Sequence, residues 1–258
     1  MIPSRMRQQL IRAISELNCN LDRPWKWLLI ATIVGAVPVV MDHLSGYHIS
    51  RWLTPILILP LLLGSVVRDS CLYAFMVLGG MLVAHCLTMI GLSTLAPEHW
   101  AEIFPPGYQY WEVTKQWVVT GKSQEYQLDY WVPGHIQLAL AMVFYTYCSL
   151  GLITLWHGLH EVDLMNLYVT QMWLHSDGSF GVVAFAWHPW SVCRGVGFVL
   201  VTYELVSLSF QHLTRTRLSN RQARLKRWGL GIGFLLLDML MKYMLLESVR
   251  QVLERAIQ

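Results

Sequence analysis

The chain has 258 residues, of which 55% are hydrophobic and 14% charged, against about 25% charged in ordinary soluble domains. With a mean hydropathy of +0.42, this composition excludes a soluble enzyme, a disordered chain and a nucleic-acid module. It implies an all-α, polytopic transmembrane bundle whose first partner is the lipid bilayer. Nineteen basic against sixteen acidic residues give a net charge of +3, too little to attract a polyanion, so no nucleic acid is expected and the placement of the charges carries the information.

Residues 1–24 lack the short apolar core of a cleavable signal. Leu10, Ile14, Leu17 and Leu21 recur at helical steps with Arg5, Arg7 and Arg12 between them, which predicts an amphipathic helix on the cytoplasmic membrane surface. Residues 25–95 then hold three spans: Trp27 to Val40 behind a Trp-Lys-Trp anchor, Trp52 to Val67, and Cys71 to about Leu92. Residues 96–134 are rich in Trp, Tyr and Pro and carry Glu98, Glu102, Glu112, Glu125 and Asp129 against Lys115 and Lys122. They read as an extracytoplasmic aromatic loop at headgroup depth. Residues 135–258 hold the remaining spans, beginning with His135 to Leu155.

The segments 162–178 and 180–211 read as two further crossings, or as one crossing plus a re-entrant piece. The loop 212–227 carries Arg215, Arg217, Arg221, Arg224, Lys226 and Arg227 with no acid, so it belongs inside. An inside N-terminus then requires an even number of crossings before it. This favours seven spans, ending with Trp228 to Leu246; six remain if 162–178 stays at the interface. The expected location is the cell inner membrane, multi-pass.

Cysteines at 19, 71, 86, 148 and 193 are scattered and odd in number, which argues against a disulfide framework or zinc site and for inert thiols. No P-loop, dinucleotide fingerprint or Gly-x-Ser-x-Gly elbow occurs, and no cofactor or resident metal is expected. His157 and His160, three apart beside Glu161 and Asp163, could bind a metal, supply a general base, or simply cap a helix end in water.

The segment LGLITLWHGL resembles the Trp-His-Gly segment of the membrane-bound O-acyltransferase family, and QYWEVTKQW followed by LDYWVPG is similar in order to that family's upstream elements. The resemblance covers residues 109–160. It implies transfer of an acyl group to a hydroxylated acceptor, with an acyl donor or lipid substrate as partner and with His157 alone carried over as catalytic; the local residues add His160 as a catalytic candidate that orients or caps and Trp156 as a substrate-binding candidate. The family's second polar catalytic position falls near Val113–Lys115, where neither Asn nor His stands. Residues 134–246 also resemble the layout of the stage II sporulation protein M family, although its acidic residue after the Pro-His turn is replaced by Val192, Cys193 and Arg194. That likeness implies a non-enzymatic permease-like or scaffold subunit of a cell-envelope complex, with membrane-protein partners. The stretch 41–60 is similar to the first hairpin of bacterial membrane sensor modules, but no output domain follows.

Other polar residues lie within apolar runs. His175, Asp177, His188 and Arg194 surround Gly178, Gly181 and Pro189, which reads as a pocket of broken helices in which Arg194 holds an anionic headgroup, or as a plain polar hairpin. Glu204 is an intramembrane acid, hence a substrate-site candidate unless Arg194 or a neighbouring helix pairs with it. Asp238 and Lys242, four apart, suggest an ion pair along one helix. His85 reads as a satisfied packing residue.

Overall fold

The computed structural model describes residues 4–122, 128–216 and 220–257, and every element in them is helical. In chain order these are α1 (Ser4–Asn20), α2 (Pro24–Ser45), α3 (Ser50–Val67), α4 (Cys71–Leu95), α5 (Pro97–Ile103), α6 (Pro105–Thr120), α7 (Leu128–Ser149), α8 (Leu152–His175), α9 (Phe180–Ala186), α10 (Ser191–Thr214) and α11 (Arg221–Ile257). Five of them, α2, α3, α4, α10 and α11, are long and apolar enough to cross a bilayer, which is compatible with an integral membrane protein. Their outward faces, such as Leu28, Ile33, Val83, Leu87, Leu236 and Leu240, are exposed apolar side chains, as lipid contact requires.

The boundaries differ from expectation in the middle of the chain. The aromatic stretch is not an open loop: α5 and α6 occupy most of it, started by Pro97 and Pro105, which suit a first helical turn. Trp100, Trp111 and Trp117 are buried there against neighbouring helices. Glu125 of that stretch and Arg217 of the basic loop lie outside the described residues. The expected span His135 to Leu155 breaks at Leu150 and Gly151, both at positive φ. Trp156, His157 and Gly158 therefore belong to the first turns of α8, not to the end of the preceding span. The ambiguous 162–178 lies largely within this one long helix. The apolar run 180–211 is divided into α9 and α10 at His188, whose φ of 53° interrupts the helix before Pro189.

Side-chain contacts group the helix ends. At one end, Arg68 Nη2 donates to the Leu21 carbonyl at 3.1 Å, Arg227 reaches Asp69 at 3.4 Å, and Ser209 Oγ donates to the Tyr147 carbonyl at 2.8 Å. The start of α2, the α3–α4 turn, the α7–α8 turn and the basic loop thus share a side, and α1 packs there on α3 and α10 through buried Ile14. At the other end, His99 bonds to the His43 carbonyl and Arg250 donates to that of Val118. Here α5, α6, α9 and the last turns of α11 form a cap with Trp117, Trp190 and Leu253 at its core.

Two close crossings hold the bundle. In α10–α11, a Cβ on Gly197 would meet Leu235 at 2.8 Å and one on Gly231 would meet Val201 at 3.0 Å. In α2–α4, a Cβ on Gly35 would run into the Met81 carbonyl. Small residues let helix backbones approach in lipid, where dispersion replaces the hydrophobic drive.

Candidate functional site

Helices α4 and α8 run in parallel with a constant offset, joined by three polar rungs. His85 Nε2 lies 2.6 Å from Asp163 Oδ1, Asn166 Nδ2 donates to Met89 Sδ at 3.6 Å, and Ser93 Oγ lies 2.7 Å from Thr170 Oγ1. Positions 163, 166 and 170 fall on one helix face, as do 85, 89 and 93. The first rung sits at a seam between two apolar clusters. Met81 and Leu159, one turn before it, belong to the core near the basic loop; Met89 and Leu167, one turn after it, belong to a cluster with Trp100 and Phe104 under the cap.

The turn between α2 and α3 supplies the third arm. Asp42 is fully buried and closes that turn: Oδ1 accepts from the backbone amides of Ile49 and Ser50 at 2.6 and 2.7 Å, and Oδ2 accepts from Ser50 Oγ. These bonds satisfy amides at the N-terminus of α3. They also fix His48, whose Nε2 lies 3.0 Å from Asp163 Oδ2 and 3.9 Å from Asp42 Oδ2. Asp163, with no exposed surface, is thus held on its two oxygens by two imidazoles. His48 keeps 11% of its side-chain surface, and Phe104 of the cap packs on its ring at 4.5 Å between centroids.

His160 lies one turn before Asp163, stacked on Trp156 at 13° between ring planes and edge-on to Phe104. Arg51 sits over the other ring system, its Cζ 4.0 Å from the Trp156 centroid. His157 has Glu161 at 3.9 Å as its nearest ionic partner and keeps a quarter of its side-chain surface. Of the expected site residues, Trp156 and His160 therefore border the Asp163 cluster, while His157 faces Glu161 and packs on Trp156.

The others lie elsewhere. His188 is buried in the cap, stacked on Trp190 at 4.8 Å between centroids and near Tyr168 and Trp117. Burial, reinforced by the charges of Arg194 and Lys242, pushes its imidazole down to about 3. Arg194 does not stand open at a mouth: its Nε donates to Asp238 Oδ2 at 3.1 Å, joining α10 to α11. Asp238, expected to pair along its own helix, is bonded to this neighbouring one. Glu204 is held by Arg227 and by Arg224 at 3.4 Å, both from α11, so its partner is a neighbouring helix and not Arg194. His85 bonds Asp163 through Nε2 while its buried Nδ1 has no hydrogen-bond partner, so the expected satisfied packing residue is paired on one nitrogen only, and that bond makes it part of the site. Among the described residues no group of three or more His, Cys, Asp or Glu has an arrangement that could hold a metal ion.

Asp42, His48, Arg51 and the linkage of His85 to Asp163 were not assembled from the sequence. The pairs stand 115 and 78 residues apart, and the available signal was the polar stripe 163, 166 and 170 within an otherwise apolar helix. No family model, curated protein or solved structure matches the chain.

Proposed function

We propose that the chain is a multi-pass protein of the cell inner membrane, crossing seven times through α2, α3, α4, α7, α8, α10 and α11. In this reading the Asp163 cluster is an acid–base site, and it serves transfer of an acyl group to a hydroxylated acceptor. The single observation that carries the acid–base reading is a contrast within the molecule. Four acids are buried among the described residues. Glu204 and Asp238 are held by arginines, which stay charged and fix structure, and Asp42 is held by backbone amides and the Ser50 hydroxyl. Asp163 alone of the four is held by two imidazoles, the side chains that gain and lose protons near neutral pH.

Asp163 orients His48 through Nε2, which leaves the other ring nitrogen to accept a hydroxyl proton, the carboxylate–imidazole logic of general-base catalysis. His157, implicated by the Trp156-His157-Gly158 resemblance, stands on α8 with Asp163. The acyl chemistry rests on that resemblance, and the clustered basic side chains at one end support the orientation, with the basic loop cytoplasmic and Asp163 toward the opposite leaflet.

A second reading, a non-enzymatic permease-like or scaffold subunit of an envelope complex, is favoured by the cap of α5, α6, α9 and the end of α11, a packed surface beyond the bundle on which partners could assemble.

The test feeds cells an alkyne-bearing fatty acid and compares labelled envelope products with and without the chain. Acyl transfer expects a chain-dependent product that His48→Ala, Asp163→Asn or His157→Ala cuts by about 10²-fold or more at unchanged protein abundance. No chain-dependent product, together with co-purification of other membrane proteins that the same variants leave intact, selects the scaffold reading.

A further inference from the structure

Three nitrogens in one small neighbourhood lack hydrogen-bond partners: Arg51 Nε, Trp156 Nε1 and His160 Nδ1. They come from two helices, α3 and α8, and are brought together by stacking. Arg51 lies over Trp156, and His160 stacks on the same indole with its ring nearly parallel. The charge of Arg51 is close enough to act on both His160 and Asp163, yet its guanidinium is not within 4.0 Å of any carboxylate among the described residues. Each unpaired polar atom shielded from water costs about 1–3 kcal/mol. Three together, at a partly exposed arginine, describe a site lacking its acceptor.

The surroundings indicate depth. Arg51 follows the short turn that ends α2, where Tyr47 is 73% and Trp52 is 54% exposed. Aromatic side chains exposed at the end of a hydrophobic hairpin sit at the headgroup level of a bilayer. A guanidinium held flat on an indole at that depth presents its outer fork to tetrahedral or planar anions. Arg194, Arg224 and Arg227 stand against carboxylates, and Arg68 donates to the Leu21 carbonyl at the other end of α3.

We propose that Arg51, Trp156 and His160 form a phosphate-binding site where the first turn of α3 meets the first turns of α8. Its chemistry is a phosphate oxygen accepting from the Arg51 fork, with the indole N–H and the imidazole completing the set after small side-chain adjustments. The same chemistry is met by the phosphodiester of a lipid headgroup and by inorganic phosphate. The inference does not rest on acyl transfer and stands whether or not Asp163 takes part in a reaction.

Native mass spectrometry of the detergent-purified full chain tests it. The probes are phosphatidylglycerol added to the micelles and, separately, inorganic phosphate as a competitor. The expected result is one tightly retained phosphatidylglycerol, lost about tenfold more readily in Arg51→Gln and to a smaller degree in Trp156→Phe, which keeps the ring and removes only the N–H. Lys115→Gln, on α6 over the Trp111 ring, is the control and should retain the lipid. Displacement by millimolar inorganic phosphate identifies free phosphate as the ligand; resistance to it identifies the headgroup. Equal retention by wild type, Arg51→Gln and Trp156→Phe overturns the proposal, as does the absence of any retained lipid together with no effect of inorganic phosphate on the melting temperature. If Arg51→Gln does not fold, the Trp156→Phe comparison decides.

Discussion

His85 and Asp163 meet at 2.6 Å although 78 residues separate them in the chain, and their bond pins α4 to α8 at the seam between two apolar clusters. Removing one partner leaves the other buried and short of a bond. His85→Ala should therefore destabilise the protein by about 3 kcal/mol, whereas the triple change His85→Leu, Asp163→Leu and His48→Leu, which leaves no member of the cluster unpaired, should recover part of that loss. Thermal unfolding in detergent reads both. A triple variant as unstable as the single one would show that packing, not the bond, dominates at this rung.

The bond between Arg194 and Asp238 should behave as a structural pair. Arg194→Ala should lower the melting temperature, and a double-mutant cycle with Asp238→Ala should give a coupling of about 1–3 kcal/mol. A coupling near zero would mean that Asp238 finds its charge partner elsewhere, along α11.

The α2–α4 crossing has no room at Gly35, where a side chain would meet the Met81 backbone carbonyl and not a flexible side chain. Gly35→Ala should cost about 1–3 kcal/mol from overpacking. Gly79→Ala is the comparison, since nothing lies within 4 Å of its added Cβ, and it should be close to neutral. Melting curves for the two variants decide, and equal effects would remove the close-approach argument.

The cap should lose stability on acidification through His188. Burial and two nearby cations hold its imidazole at about 3, while an unfolded histidine titrates near about 6.5. Between these values the unfolded chain binds a proton that the folded one does not. The contribution of neutral His188 is thus complete above about pH 6.5 and is lost progressively as pH falls toward about 3. His188→Phe should unfold less steeply with falling pH than wild type over that window. Parallel curves for the two proteins would refute the assignment.

The orientation is open to cysteine-accessibility labelling in intact cells. With the native cysteines replaced, Lys122→Cys should react with an impermeant maleimide and Gln222→Cys should react only after the membrane is opened. Both residues are exposed, and they lie at opposite ends of the bundle. Labelling of both from one side contradicts seven crossings with the basic loop inside.

The apolar helical class, the first three candidate spans and the N-terminal helix α1 were legible in the sequence, because each depends on local hydrophobicity and on charge between nearby residues. Trp27 to Val40 or Leu10 with Ile14 announce themselves within a few turns of helix. The helices inside 96–134 were not legible, since their tryptophans are as compatible with headgroup depth as with a packed cap, and contacts from α2, α4, α8, α9 and α11 bury them. The break at Leu150 and Gly151 was hidden within a continuous apolar run. Hydropathy alone does not report a positive φ. The pairing of acids was the furthest from reach. Asp238 and Lys242 were close in the chain, but the bond to Arg194 required the antiparallel packing of α10 on α11. Asp163 stood beside the Trp156-His157-Gly158 motif in sequence, yet its imidazoles come from a turn and a helix far upstream. Burial in a low-dielectric interior makes such a carboxylate stable only where partners converge on it, and that convergence is a property of tertiary structure alone.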